Sequence, residues 1–124
     1  MEGYELGAVQ ARFADIIWEN APISSPELVH ICEQRLNWKK STTYTVLKKL
    51  CDKGLFRNEG GVVCALVSKE EYNSLRSASF VEETFSGSLP AFIAAFISNK
   101  AISPEEADEI RRMIDSFKGG AKDE

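Results

Sequence analysis

The sequence predicts a mainly α-helical chain with one small β-hairpin, and three observations predict it. Apolar residues recur at helical spacing in most segments, and Pro or Gly, or Asn37-Trp38 after the second, interrupts the stripes. Two short runs, the second rich in β-branched Val, flank Gly60-Gly61, which tolerates the positive φ of a tight hairpin turn. Ser-led helix starts occur at Ser24-Ser25-Pro26-Glu27, Ser68-Lys69-Glu70-Glu71, Ser88-Leu89-Pro90 and Ser103-Pro104-Glu105-Glu106.

In order, residues 6 to 20 form a helix with Leu6, Val9, Phe13, Ile16 and Ile17 on one stripe; Trp18 extends it and Pro22 ends it. Ser25 caps a second helix, with Pro26 first in it, and Leu28, Val29, Cys32 and Leu36 on its inner face. A third helix runs from Lys40 or Ser41 to about Lys53. Thr43, Val46, Leu47 and Leu50 sit at i, i+3, i+4 and i+7 as its buried stripe, and Gly54 stops it. Leu55 to Asn58 and Val62 to Val67 are the hairpin strands. A capping box of Ser68 and Glu71 starts a long helix to about Ser86. Two further helices run to about Asn99 and Phe117, and residues 119–124 are a frayed tail.

Helix, helix, helix, hairpin is the element order of a winged helix-turn-helix, in which the third helix enters the DNA major groove. The expected organisation is a winged-helix DNA-binding domain over residues 1–70 and a C-terminal helical dimerisation region over 71–124. A chain of 124 residues suffices for this, because it buries roughly two-thirds of its unfolded surface.

Charge supports the same reading. From Arg35 to Arg57 there are seven bases and one acid, Asp52, a net of +6; the whole chain carries −4, so the remainder carries −10. A basic block in an acidic chain is a localised electrostatic footprint for nucleic acid. The outer face of the third helix offers Ser41, Thr42 and Thr45, the phenol of Tyr44, and Lys48 and Lys49, with Lys39 and Lys40 at its start. Short hydroxyl side chains reach base edges and thymine methyls, while lysines neutralise phosphates. Tyr44 is expected on a base edge or a phosphate. The hairpin offers one base, Arg57, and a Glu59-Gly60-Gly61 tip, so its expected role is packing plus at most a backbone amide to phosphate.

After Ser68, Phe80, Val81, Phe85, Leu89, Phe92, Ile93, Phe96, Ile97, Ile102, Ile110, Met113, Ile114 and Phe117 crowd together, with five of the seven phenylalanines among them. Short helices of a monomer cannot bury so much apolar surface. A homodimer with intertwined C-terminal helices answers that, and two-fold symmetry suits half-site DNA binding; packing back onto the N-terminal unit is the alternative.

Other classes find little here. No run of 18 apolar residues spans a membrane, and Met1 to Gln10 holds Glu2 and Glu5 but no base, so the expected location is cytoplasmic. Cys32, Cys51 and Cys64 lack metal-ligand spacing and fit small core residues. His30 and Cys32, two apart on a helix, face different ways. Glu82-Glu83 and Glu105-Glu106 fit surface acids, and there is no P-loop or GxGxxG. No catalytic residue, cofactor or metal is expected. The competing function is a winged-helix protein-interaction or ligand-sensing module without specific DNA binding.

These residues also resemble the penicillinase-repressor (BlaI/MecI/CopY) family over nearly the full length. The resemblance runs through Ile17-Trp18, Ser24 to Val29, Trp38 with Thr42, Thr45, Leu47 and Leu50, the Lys53-Gly54-Leu55 corner, Phe85 to Phe96, and Ile102 to Glu106. It implies a homodimeric winged-helix repressor on a palindromic operator. Thr42, Tyr44 and Thr45 match the base-reading helix; Lys39, Lys40, Lys48 and Lys49 match phosphate-facing places. The chain departs from members cleaved at an Asn-Phe bond, having Ala95-Phe96 there, and from copper-responsive members, having no cysteine in its tail.

Overall fold

The structure is a computed structural model and describes residues 5–117; the tail expected to fray lies outside them. The elements are α1 (Ala8–Asn20), β1 (Ile23–Ser24), α2 (Ser25–Leu36), α3 (Lys40–Asp52), β2 (Phe56–Glu59), β3 (Val62–Ala65), α4 (Lys69–Thr84), α5 (Leu89–Asn99) and α6 (Pro104–Phe117). They fall into two compact units, Met1–Gly87 and Ser88–Glu124.

The first unit has the winged-helix order. α1 buries Phe13, Ala14, Ile16 and Ile17, one turn apart on one side. Val9, placed on that stripe by spacing, is half exposed, because the helix starts only at Ala8 and its first turn overhangs the core. α2 is capped by Ser24, one residue earlier than expected: the Glu27 amide donates to Ser24 Oγ at 3.2 Å, and Ser25 occupies the first helical position. α2 ends at Asn37, whose φ of 57° is left-handed; Asn tolerates this better than most residues. Asn37 to Lys39 then form the short turn of a helix-turn-helix. Trp38 holds that turn against α1, its ring 5.1 Å from Phe13.

The sheet has three strands rather than the two expected, in the antiparallel order β1-β3-β2. Ile23 pairs with Val63 and Ser24 with Val62, and the Ser25 amide donates to the Gly61 carbonyl at 2.9 Å. The hairpin is thereby tied to the start of α2. Its turn is Gly60-Gly61, with φ of 61° and 79°, a conformation that side-chain-bearing residues resist. β3 is shorter than the expected strand. Leu66 still donates its amide to the Leu55 carbonyl, but the Val67 carbonyl instead accepts from Trp18 Nε1 at 3.0 Å.

Phe13, Ile17, Leu28, Leu47, Leu50, Leu55, Phe56 and Val63 form a core drawn from every layer of this unit. Full burial of such side chains stabilises by roughly 1.5–3 kcal/mol each before entropy is counted. Thr43 is buried among them, and its hydroxyl donates to the Lys39 carbonyl at 3.4 Å. Among the described residues, no buried side-chain nitrogen or oxygen lacks a partner. α4 opens on the expected capping box: Ser68 Oγ accepts from the Glu71 amide, and Glu71 Oε1 accepts from the Ser68 amide. Tyr72 joins the core, so this compact unit continues past residue 70 and through α4.

In the second unit, Ser88 Oγ accepts from the Ala91 amide at the start of α5 (3.1 Å). Ser103 Oγ accepts from the Glu106 amide at the start of α6 (3.0 Å). No residue of either helix is buried. Leu89, Phe96, Ile97, Ile110, Met113, Ile114 and Phe117 are exposed; Phe117 reaches 68 %. Ile110, Met113, Ile114 and Phe117 share one face of α6 by their spacing. Phe92 and Ile93 are half-buried, with the Phe92 and Phe96 rings 6.3 Å apart. In the first unit, Phe80 is exposed near the end of α4 and its ring meets Phe85 edge-on at 5.9 Å.

Candidate nucleic-acid interface

α3 is anchored from behind and open in front. Thr43, Leu47 and Leu50 are buried, which fixes the rotation of the helix. Ser41, Thr42, Thr45, Lys48 and Lys49 are consequently exposed on its other side, with Lys39 and Lys40 exposed at its start. No acid lies in the first turn, and the cap residue Lys39 makes no side-chain bond to the helix amides. Those amides and the positive end of the helix dipole are available to an anion.

The basic block divides by position. Arg35 reaches back to Glu19 on α1 at 3.3 Å, and Lys53 Nζ donates to the Glu5 carbonyl at 3.3 Å. Both contacts point back toward α1 and the segment before it. Lys48 pairs with Asp52 and Arg57 with Glu59, each at 3.3 Å and each exposed. Such pairs are weak and exchange readily for a phosphate. Among the described residues, no carboxylate pairs with Lys39, Lys40 or Lys49. Of the five cations the sequence suggests for phosphates, Lys39, Lys40 and Lys49 thus carry no carboxylate partner among the described residues, and Lys48 and Arg57 carry exposed ones.

Tyr44 is placed differently from its neighbours. It is half-buried against the core, and its hydroxyl donates to Ser25 Oγ at 3.1 Å, linking α3 to α2. Spacing alone gave no sign of this, because the partner lies 19 residues away. Ser25 and Trp38 are positioning residues missed by the sequence reading: one holds Tyr44, the other holds the turn before α3. Tyr44→Phe should lower stability by about 1 kcal/mol through loss of that bond, read as a shift in urea midpoint. An unchanged midpoint would mean that the bond contributes nothing.

The hairpin tip carries Glu59 and two glycines, and Arg57 is its one cation. Val62 and Leu66 are exposed on it, at 42 % and 49 %. The cysteines sit in the scaffold. Burial pushes the Cys32 thiol up, against the opposing pull of the Thr43 hydroxyl and Arg35. Burial likewise raises Cys51, against a hydrogen bond from the Asn58 backbone. Both remain protonated, weakly nucleophilic thiols at neutral pH. Among the described residues, no group of three or more His, Cys, Asp or Glu is arranged to hold a metal ion. No single described helix is long and apolar enough to cross a membrane.

Comparison with known proteins agrees with this geometry. The penicillinase repressor of Bacillus licheniformis is 25 % identical over 123 residues, covering 96 % of each chain. The methicillin resistance regulatory protein MecI of Staphylococcus aureus strain Mu50 is 21 % identical over 115 residues, covering 90 % of this chain and 94 % of its own. MecI of Mammaliicoccus sciuri is 20 % identical with the same coverage. The family model described as penicillinase repressor matches residues 6–116, and the chain belongs to that family of transcriptional repressors.

Proposed function

We propose that the chain is a homodimeric repressor that binds a palindromic operator, with α3 of each protomer in the major groove. One observation carries this reading: the buried stripe of α3 turns a face of Ser41, Thr42, Thr45, Lys48 and Lys49 outward, with no acid in the first turn and one, Asp52, at the far end in an exposed pair with Lys48. On this reading Thr42 and Thr45 read bases, while Lys39, Lys40, Lys48, Lys49 and Arg57 hold phosphates. Tyr44 acts mainly by fixing the helix through Ser25, and its ring edge is what remains for the duplex. The apolar side chains exposed on α5 and α6, with Phe80 on α4, support a second copy of the chain as their cover. Repression follows by occlusion of the polymerase at the operator, in the cytoplasm.

The test is a titration of the purified protein against its own upstream region and a scrambled duplex of equal length, at low and physiological salt. Preference for the upstream region that survives physiological salt, saturating at two protomers per site, supports the reading. Equal binding to both duplexes, abolished by salt, leaves only a non-specific charge footprint and overturns it.

The same assay separates the two kinds of contact. Lys49→Ala should weaken both duplexes equally and reduce the slope of log K against log salt by about 1. Thr45→Phe should leave that slope unchanged and reduce discrimination between the duplexes by about tenfold or more. Untouched affinity and slope in Lys49→Ala would remove Lys49 from the phosphate contacts.

A further inference from the structure

Between α3 and the hairpin lies an open groove of about 610 Å³. Its floor is the buried Leu47 and Phe56, its accessible apolar wall is Leu66, Cys51 and the ring of Tyr44, and it carries two cations, Lys48 from α3 and Arg57 from β2. No acid lines it. The carboxylates paired with those cations, Asp52 and Glu59, lie outside the lining and are exposed, so an anion entering the groove displaces only weak partners.

Size, apolar lining and charge together narrow the occupant. The volume falls within the roughly 300–1,000 Å³ of small-molecule sites, which are apolar with a few placed polar groups. A sugar-phosphate strand would satisfy Lys48 and Arg57 but would lay a hydrated polar surface over Leu66 and Cys51. A water-filled groove would leave Leu66 about half exposed with nothing gained. We propose that this groove binds a small amphipathic carboxylate, its apolar body on Leu66, Cys51 and the ring of Tyr44 and its carboxylate between Lys48 and Arg57. Because both cations also belong to the proposed DNA face, an occupied groove withholds them from phosphate, and the bound acid acts as an inducer. The second half of this inference rests on the proposed repressor function; the binding site does not.

The test uses the full-length protein and naphthalene-2-carboxylate as probe, with the neutral naphthalen-2-ylmethanol beside it. Amide resonances in a 15N-labelled sample should shift saturably at Leu47, Cys51, Asn58 and Leu66. The alcohol should bind about tenfold more weakly, since it forgoes the charge-assisted contacts. Leu66→Gln, a change at a half-exposed residue outside the proposed DNA contacts, should weaken the carboxylate at least fivefold by removing apolar wall. That comparison holds if its melting temperature stays within about 2 °C of the parent, as a surface change should. Shifts confined to α5 and α6, equal binding of acid and alcohol, or no effect of Leu66→Gln would each overturn the site. Saturating carboxylate should also weaken binding to the upstream duplex. Groove binding without that competition would overturn the inducer role and the assignment of Lys48 and Arg57 to phosphates, while leaving the site standing.

Discussion

Phe96→Glu combined with Ile114→Glu should turn a species of twice 13.8 kDa into one of 13.8 kDa in sedimentation at micromolar concentration, and should weaken operator binding about 100-fold or more. Both side chains are exposed in the single chain, at 47 % and 52 %, so neither change disturbs a packed core within it. In a dimer they would be covered, and a buried carboxylate without a partner is strongly unfavourable. The loss on DNA has a separate origin. Two linked recognition helices bind their half-sites with the second encounter intramolecular, and that advantage vanishes in a monomer. The paired readout is what makes the result informative. A variant still at twice 13.8 kDa would mean that these faces are not the dimer contact. A monomer with parental operator affinity would mean that dimerisation plays no part in recognition.

The residues that made the fold legible are those whose structure is set within a few neighbours. Ser68, Ser88 and Ser103 each cap the helix expected of them, because a serine hydroxyl three residues before a free amide is a local geometry. Gly60 and Gly61 take positive φ for the same local reason. What escaped the sequence is what depends on distant partners. β1 is two residues long and exists because Ile23 and Ser24 meet Val63 and Val62, some 40 positions later; no alternation in two residues can announce that. The shift of the α2 cap from Ser25 to Ser24 has a related cause. Ser25 is buried and its hydroxyl accepts from Tyr44, so the outer serine is left to meet the Glu27 amide.

The candidate site divides along the same line. The exposed cations and hydroxyls of α3 were readable because Thr43, Leu47 and Leu50 fix the rotation of the helix, and a period of 3.6 assigns the remaining positions to the outside. The fate of each polar group is less readable. Lys53 and Arg35 belong to the same basic block as Lys49, yet one is turned to the Glu5 carbonyl and the other to Glu19. The groove beside Lys48 was invisible for a further reason: its walls come from α3 and from strands that follow it in sequence, and only the folded hairpin brings Leu66 opposite Cys51.

Trp18→Ala should destabilise the first unit by about 3 kcal/mol, a large share of the roughly 5–15 kcal/mol typical of a domain. Trp18 sits where four segments meet. Its ring lies 5.3 Å from Phe56 on β2 and 5.5 Å from Tyr72 on α4, and its Nε1 donates to the Val67 carbonyl between β3 and α4. Truncation removes the packing and the bond together, leaving a gap beside two buried aromatic rings. Trp18→Phe divides the two contributions. It keeps an aromatic ring near Phe56 and Tyr72 and deletes the donor, so its loss should be nearer 1 kcal/mol. Thermal and urea unfolding followed by circular dichroism reads both variants. Equal losses would assign the whole effect to the bond to Val67; a loss below about 1 kcal/mol in Trp18→Ala would mean that the site repacks and that Trp18 is not the joint. The functional consequence follows from where the joint lies. The Val67 carbonyl closes the hairpin against α1, and α1 carries Phe13, on which Trp38 and the turn before α3 rest. Hairpin and α3 are therefore braced on one helix, α1. Trp18→Phe, well below its melting temperature, should retain parental preference for the upstream duplex, because the Phe13–Trp38 brace of α3 is left whole. Lost preference in a folded Trp18→Phe would show instead that the hairpin's exact seat on α1 governs recognition.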